Sequence, residues 1–550
     1  MWRLRCIAGL QYAFRSGQAV RCHYIGRLDC ARTFSNGSRD SNGRDDWLPL
    51  WLRMGSGDNA APPPGDPPRP PRKSSSRASA SFSAHLPTYG PRTRGVARSV
   101  TLEAAIRLNK RIRDARDAVS ILTIVETEHG EFNSVNAATA CSRLAKTRQR
   151  SAYGPRMDDR RMQTLFYTVA RESVDMGARE VSNTVWALAK LGWEAEDGVL
   201  RSALEGAVVR VAPSMSAQAV ANTLSALASL RWQAGEGAMR ALEAAAVREV
   251  PIMNAQDVAN TLWALATLRW QAEAAAMHAL ERAAVREAPS MNAQNVSNTL
   301  WALATLGWHA GEASMRPALE GAAVRVAQTM NAQDVANTLL ALATLGWRAS
   351  VELASSFDGL AKALLGNFNF LNSEGFSKLE LRQLWRAHHA SELLDLDLIK
   401  LPPPMLQLAR TAHRDDSREA SVSQAHRDVG ECLDRLGIPH EREHTVSAGL
   451  PRVDLAIADR RIAIEFDGPS HFTVNTLERL GHTRLRDRLL SAVGWHVVSI
   501  PFFEWAKLRR NDYRDAYVRQ RLESPPAAAH TAAIRLSAPQ PVLLSASARV

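Results

Sequence analysis

One stretch of this chain repeats itself, and that repetition constrains the fold more than any other feature. Asn183-Thr184-Val185-Trp186-Ala187-Leu188-Ala189 returns as Asn222-Thr223-Leu224-Ser225-Ala226-Leu227-Ala228, and again from Asn260, Asn298 and Asn337. The steps are 39, 38, 38 and 39 residues, and a worn copy from Val135 to Ala145 lies upstream. At a fixed period of this size each copy is a supersecondary unit that buries its apolar side only against its neighbours. A solenoid is therefore expected over residues 101–350.

Each unit reads as two helices. In one of them Ala274 to Arg286 is unbroken and Ala-rich, and Pro289 closes it. Asn254 then stands at an N-cap position with Asp257 three residues on, before a helix over Ala255–Leu268. Gly192, Gly307 and Gly346 fall where a C-cap glycine is expected. At helical spacing Val258, Leu262, Leu265 and the aliphatic stem of Arg269 form an apolar seam. Gln256, Asn260, Trp263 and Thr267 form the opposite stripe, where amides flank an aromatic plane, a combination that suits single-stranded RNA.

Not every recurring residue reads as a contact. Trp193, Trp232, Trp270, Trp308 and Trp347 occur in all five clear units and read as packing, and the invariant Asn column from Asn183 to Asn337 reads as scaffold. Positions that differ between units are the better candidates for base recognition. One set is Ala219, Asp257, Asn295 and Asp334; a second is Trp186, Ser225, Trp263, Trp301 and Leu340.

Charge is concentrated at one end. The net charge is +12, but residues 1–100 hold 16 basic against 6 acidic residues, leaving 52 against 50 in the rest. Arg3, Arg5, Arg15, Arg21 and Arg27 precede the first acid, Asp29, and Arg32-Thr33-Phe34-Ser35 has an Arg-x-aromatic-Ser spacing. Residues 1–35 thus read as an organellar transit peptide, for the mitochondrial matrix with the plastid as alternative. Residues 36–100, rich in Pro, Ser and Arg, read as a disordered linker, and residues 523–550 as a disordered tail. No run reaches the ~20 apolar residues of a membrane span. Cys141 and Cys432, the two cysteines beyond the leader, make neither a disulfide framework nor a Cys-based zinc site.

Beyond a helical connector, residues 351–426, the pattern changes. A helix near Val429–Leu436 leads to Val453–Ala458 and Arg461–Asp467, two stretches of strand composition. Gly468-Pro469-Ser470-His471 breaks them from a basic helix, Thr476–Val493, and a strand, His496–Ile500. With a further strand near His444–Val446 the order is αβββαβ, an α/β module over residues 427–522.

Two resemblances follow. The Asn254-Ala-Gln-Asp-Val-Ala-Asn-Thr-Leu-Trp-Ala-Leu-Ala-Thr-Leu unit and its copies, over about residues 130–350, resemble the octotricopeptide repeat. Val453-Asp-Leu-Ala-Ile457, Ile464-Glu-Phe-Asp-Gly-Pro-Ser-His-Phe472, Gly494-Trp-His-Val-Val498 and Pro501-Phe-Phe-Glu-Trp505 resemble the successive blocks of the RAP domain. The resemblances imply a protein of the octotricopeptide-repeat and FAST-kinase-domain type, binding single-stranded organellar RNA, whether mRNA or rRNA. They imply no membrane, and RNA-processing or ribosome-assembly proteins as further partners.

The RAP module is in turn similar to the PD-(D/E)XK nuclease core. That similarity puts Asp454 and Glu465 in the positions of Mg²⁺ ligands, with Asp467 where the pattern has a lysine. Catalytic candidates are then Asp454, Glu465 and Asp467, with Mg²⁺ needed only for cleavage and no cofactor otherwise. Arg484, Arg488 or His471 would have to replace the lysine. If the module only binds, Arg460, Arg461, Arg484, Arg486 and Arg488 are expected to meet phosphates. Three function classes stay open: an RNA-binding protein in organellar RNA processing, stability, rRNA maturation or translation; a metal-dependent endoribonuclease aimed by the repeats; and a protein–protein scaffold.

Overall fold

The computed structural model describes residues 101–523, apart from 149–155, 195–197, 310, 367–375, 417–422, 448 and 451. The segments expected to be a transit peptide and a linker, and the expected tail beyond residue 523, lie outside the described residues.

Helices alternate between two layers. The inner layer holds α1 (Leu102–Asp114), α3 (Ser134–Arg148), α5 (Ala178–Leu191), α7 (Ala217–Ser229), α9 (Ala255–Thr267), α11 (Ala293–Leu306) and α13 (Ala332–Leu345). Between them run the outer helices α2 (Ala118–Glu128), α4 (Arg160–Glu172), α6 (Gly198–Val211), α8 (Glu236–Glu249), α10 (Ala274–Glu287), α12 (Glu312–Val326) and α14 (Val351–Gly366). The connector continues the array: α15 (Lys378–Leu393) packs on α13, and α16 (Pro403–Asp416) packs on α15. Inner helices pack most closely because alanines face the neighbouring rows; Ala259, Ala264, Ala302, Ala336 and Ala343 are all buried.

Their ends obey local chemistry. Asn254 and Asn331 form reciprocal capping boxes with Asp257 and Asp334, each such cap worth about 1 kcal/mol. Gly192, Gly307 and Gly346 end their helices left-handed, with φ of 67°, 63° and 73°. Arg231 and Arg269 take the same position and conformation, at φ 51° and 52°. Arg269 therefore leaves the helix there, instead of extending the apolar seam.

Two ladders tie the rows together. Arg171, Arg210, Arg248, Arg286 and Arg325, in the last turns of successive outer helices, each donate to two carbonyls of the preceding turn at 2.6–3.4 Å. The recurring tryptophans reach back 27 residues: Trp232, Trp270 and Trp308 donate to Glu205, Glu243 and Glu281 at 2.7, 3.1 and 3.0 Å. Glu243 also accepts from the Glu273 amide. The packing role expected of these tryptophans is what the structure displays.

The C-terminal module has α17 (Gln424–Arg435), β1 (Glu441–His444), β2 (Val453–Ile457), β3 (Ile462–Asp467), α18 (Gly481–Ala492), β4 (His496–Pro501), α19 (Phe502–Trp505) and α20 (Asn511–Glu523). The αβββαβ order holds, with the first strand starting three residues before its expected place. Sheet order is β1-β2-β3-β4; β3 pairs antiparallel with β2 and parallel with β4. Leu455, Ile457, Ile462, Ile464, Val498 and Ile500 pack with α17 and α20 on one face. The period of two sends Ala456, Ala463, Glu465 and Asp467 to the other face, toward α18 and the solenoid, where Ala456 and Ala463 join the solenoid's core.

Candidate nucleic-acid interface and the carboxylate cluster

The module sits on one edge of the solenoid, where inner helices α9, α11 and α13 end. Arg269 donates to the Pro469 carbonyl at 2.6 Å. Asn475 brackets Gln271, accepting from its amide at 3.0 Å and donating to its carbonyl at 2.7 Å. From α18, Arg484 donates to Gly307 O at 3.4 Å and Arg488 to Ala343 O at 3.0 Å. Guanidinium groups are favoured there because a helix C-terminus carries partial negative charge. Arg484 and Arg488 were expected at phosphates or at a reaction centre; the structure turns both inward, onto backbone carbonyls of the solenoid.

The carboxylates expected as metal ligands lie beneath α18. Asp454 Oδ2 accepts from the Phe466 amide at 2.8 Å. Glu465 is fully enclosed, its Oε2 3.1 Å from Arg486 Nη1, while Arg486 Nη2 lies 3.0 Å from Asp467 Oδ1. Asp467, where the nuclease pattern has a lysine, also faces Arg479 at 3.2 Å and accepts from the Ser499 hydroxyl. Burial pushes Glu465 well above the ordinary carboxylate range, Arg486 only partly opposing it. Burial would raise Asp467 as well, but Arg486, His471, Ser499 and Arg479 together hold it below the usual value.

These residues do not fit Mg²⁺ held between Asp454 and Glu465. A divalent ion needs charged oxygens open to it and to water, whereas Glu465 is sealed, disposed to protonate and already faces a guanidinium. Arg486 supplies the counter-charge that the nuclease pattern assigns to metal and lysine. Expected among the phosphate contacts, Arg486 is instead a buried ion-pair partner.

His471 stays near the cluster, its Nδ1 3.0 Å from the Thr483 hydroxyl and 3.5 Å from Asp467. Burial lowers its pKa to about 4, so it is neutral at neutral pH and a weak phosphate ligand. Arg460 and Arg461, on the β2–β3 turn, are exposed and remain available to phosphates. Sequence reasoning missed His426 and Glu443. His426 is buried, with Nε2 2.7 Å from Asp454 O and Nδ1 3.5 Å from Glu443 Oε1 and 3.8 Å from Asp454 Oδ1. The three ligating groups lie within 4.8 Å of one another. No local motif links residues 426, 443 and 454; only the sheet and α17 bring them together.

The repeat candidates divide sharply. Gln256 is exposed, and Asn260 and Trp301 are half-buried. Trp263 is fully enclosed and offers no ring face to a base. Asp257 and Asp334 are buried in their capping boxes, and Asn295 is buried at the same third helical position. Burial raises both aspartates above the ordinary range. These three vary between units because cap and row packing tolerate either Asp or Asn, so their variation needs no base reading.

Comparison with known proteins agrees with the C-terminal assignment. Residues 464–521 match the family model of the RAP domain. Residues 241–262 and 323–339 match a family described as a protein of unknown function (DUF1601). The chain is similar to "RAP domain-containing protein, chloroplastic" from Oryza sativa subsp. japonica, at 32% identity over 113 residues. That stretch is 20% of this chain and 17% of the rice protein. Strand order, motif blocks and family match converge: the chain carries a C-terminal RAP domain, seated on helical repeats that fit the octotricopeptide arrangement.

Proposed function

We propose that this chain is an organellar RNA-binding protein acting in the processing, stability, rRNA maturation or translation of plastid or mitochondrial transcripts. The observation that carries the reading is a RAP domain, a type associated with RNA binding, whose Asn475 and Arg488 side chains hydrogen-bond backbone groups at the edge of a repeat solenoid. Arg-rich residues 1–35 support an organelle, and the rice relative, named as chloroplastic, favours the plastid over the mitochondrion. Arg486 between Glu465 and Asp467 supports binding without metal-dependent cleavage. The test is crosslinking of the tagged full chain to RNA in the organelle, followed by sequencing. Enrichment of particular transcripts is the expected result, and recovery no better than an untagged control would sink the reading. Import of the first 35 residues fused to a reporter, into isolated plastids and mitochondria side by side, identifies the compartment.

A further inference from the structure

Inner helices run parallel, so their C-termini share one edge. Arg143 reaches the Ala115 carbonyl and Arg148 the Leu191 carbonyl, joining the ends of successive rows. In the last rows that edge is covered by the RAP module, whose Arg484 and Arg488 meet the terminal carbonyls of α11 and α13. Among the described residues, the edge of the first rows carries its own cations instead. Arg113 lies in the last turn of α1, Lys146 in that of α3, Lys190 in that of α5, and Arg231 just beyond α7; all four are exposed.

The repeat position of Lys190 changes along the array. It recurs as Ser229, Thr267, Thr305 and Thr344. The Thr344 methyl lies 2.9 Å from where a Cβ at Gly481 would stand, directly under α18. A lysine there would lose its hydration beneath the module, which is costly without a partner. Lysine occurs at this position on α5, and a small hydroxyl residue from α7 onward, including the rows on which the module packs. Along the Asn column Asn183 is exposed and Asn222 and Asn260 are half-buried, whereas Asn298 and Asn337 are buried, the latter bonded to Gln383 of α15 at 3.1 Å.

We propose that the open edge of the first rows, marked by Arg113, Lys146, Lys190 and Arg231, carries the sugar–phosphate backbone of single-stranded RNA, and that the docked RAP module confines RNA to these rows. This rests on the RNA-binding reading. Charge points to an anionic occupant: exposed cations stand at the ends of four successive inner helices, with Asp114, Asp117, Glu194 and Glu236 among the described acids of the same turns. Half-buried Trp186 and exposed Asn183 lie one and two turns inward of Lys190, within reach of bases whose phosphates the edge holds. The bland alternative is that these cations only complement helix C-termini, a stability effect of well under a factor of ten each.

Phosphate contacts carry no sequence information, so a labelled mixed-sequence single-stranded RNA is a sufficient probe. Binding to the full chain is followed by fluorescence anisotropy across a salt series, for the parent and for Lys146→Gln/Lys190→Gln. The double variant is expected to bind roughly tenfold more weakly at low salt, with the slope of log K against log salt shallower by about 1.4, near 0.7 per lost contact. Its thermal midpoint should match the parent, and Lys146→Arg/Lys190→Arg should restore binding. A double variant that binds with the parent's affinity and slope overturns the edge while leaving RNA binding intact. A parent chain that binds no RNA overturns the functional reading beneath it.

Discussion

Gly481 stands against Ala304: a Cβ on the glycine would lie 1.8 Å from the alanine's carbonyl oxygen. That approach joins the RAP helix to the solenoid, and both contacting groups are backbone, which cannot move aside. Gly481→Ala is expected to cost about 1–3 kcal/mol of docking energy by overpacking. Hydrogen exchange should then rise at least several-fold in α18, with α3 to α7 unaffected. Unchanged protection of α18 would show that the contact is soft.

Arg486 should matter most to the stability of the module. Arg486→Gln leaves Glu465 buried without its counter-charge and Asp467 with Arg479 alone, a loss of about 3–5 kcal/mol. Adding Glu465→Gln should recover much of it, since a buried charge goes with its partner. Urea unfolding of both variants checks the coupling; additive losses would show that the two residues act independently.

RNA binding should survive chelation. With Arg486 bridging Glu465 and Asp467, a single-stranded RNA should bind no more weakly in EDTA than in millimolar Mg²⁺, which itself competes for the phosphates. A chelator-dependent loss would point to an ion in the module.

Trp263 is expected to act through folding. Trp263→Ala should destabilise the array by about 3–5 kcal/mol, whereas Trp263→Phe, which fills most of the space, should retain RNA affinity. Exposed Gln256→Ala should leave stability within about 0.5 kcal/mol. A Trp263→Phe protein of parental stability that lost RNA binding would restore the stacking role.

Acid should weaken the fold through buried imidazoles. Burial lowers His413 to about 4, helped by Arg386 and by neighbouring His389, and His482 to about 3, helped by His471 and Arg486. Below pH 6.5 the unfolded chain takes up these protons while the folded chain does not. Stability should therefore fall as pH drops from about 6.5 toward 4, by up to about 1.4 kcal/mol per pH unit for each histidine. His413→Gln should flatten the profile, and an unchanged pH slope would exclude it.

Sequence by itself determined the parts. The 38–39-residue period, the caps at Asn254 and Asn331, the glycines at 192, 307 and 346 and the alternation in β2 and β3 are local, and local chemistry suffices to read them. It also singled out Asp454, Glu465 and Asp467. Only the tertiary structure decided what those parts face. Helical periodicity gives a residue an angle around its own axis, but not which neighbour covers that angle; hence Trp263 is enclosed and Gln256 exposed on what read as one stripe. The charges of α18 look alike in sequence, yet Arg484 and Arg488 meet solenoid carbonyls 177 and 145 residues away, and Arg486 enters the carboxylate cluster. Burial and long-range pairing set the role of each charge, and neither is encoded within reach of its local sequence.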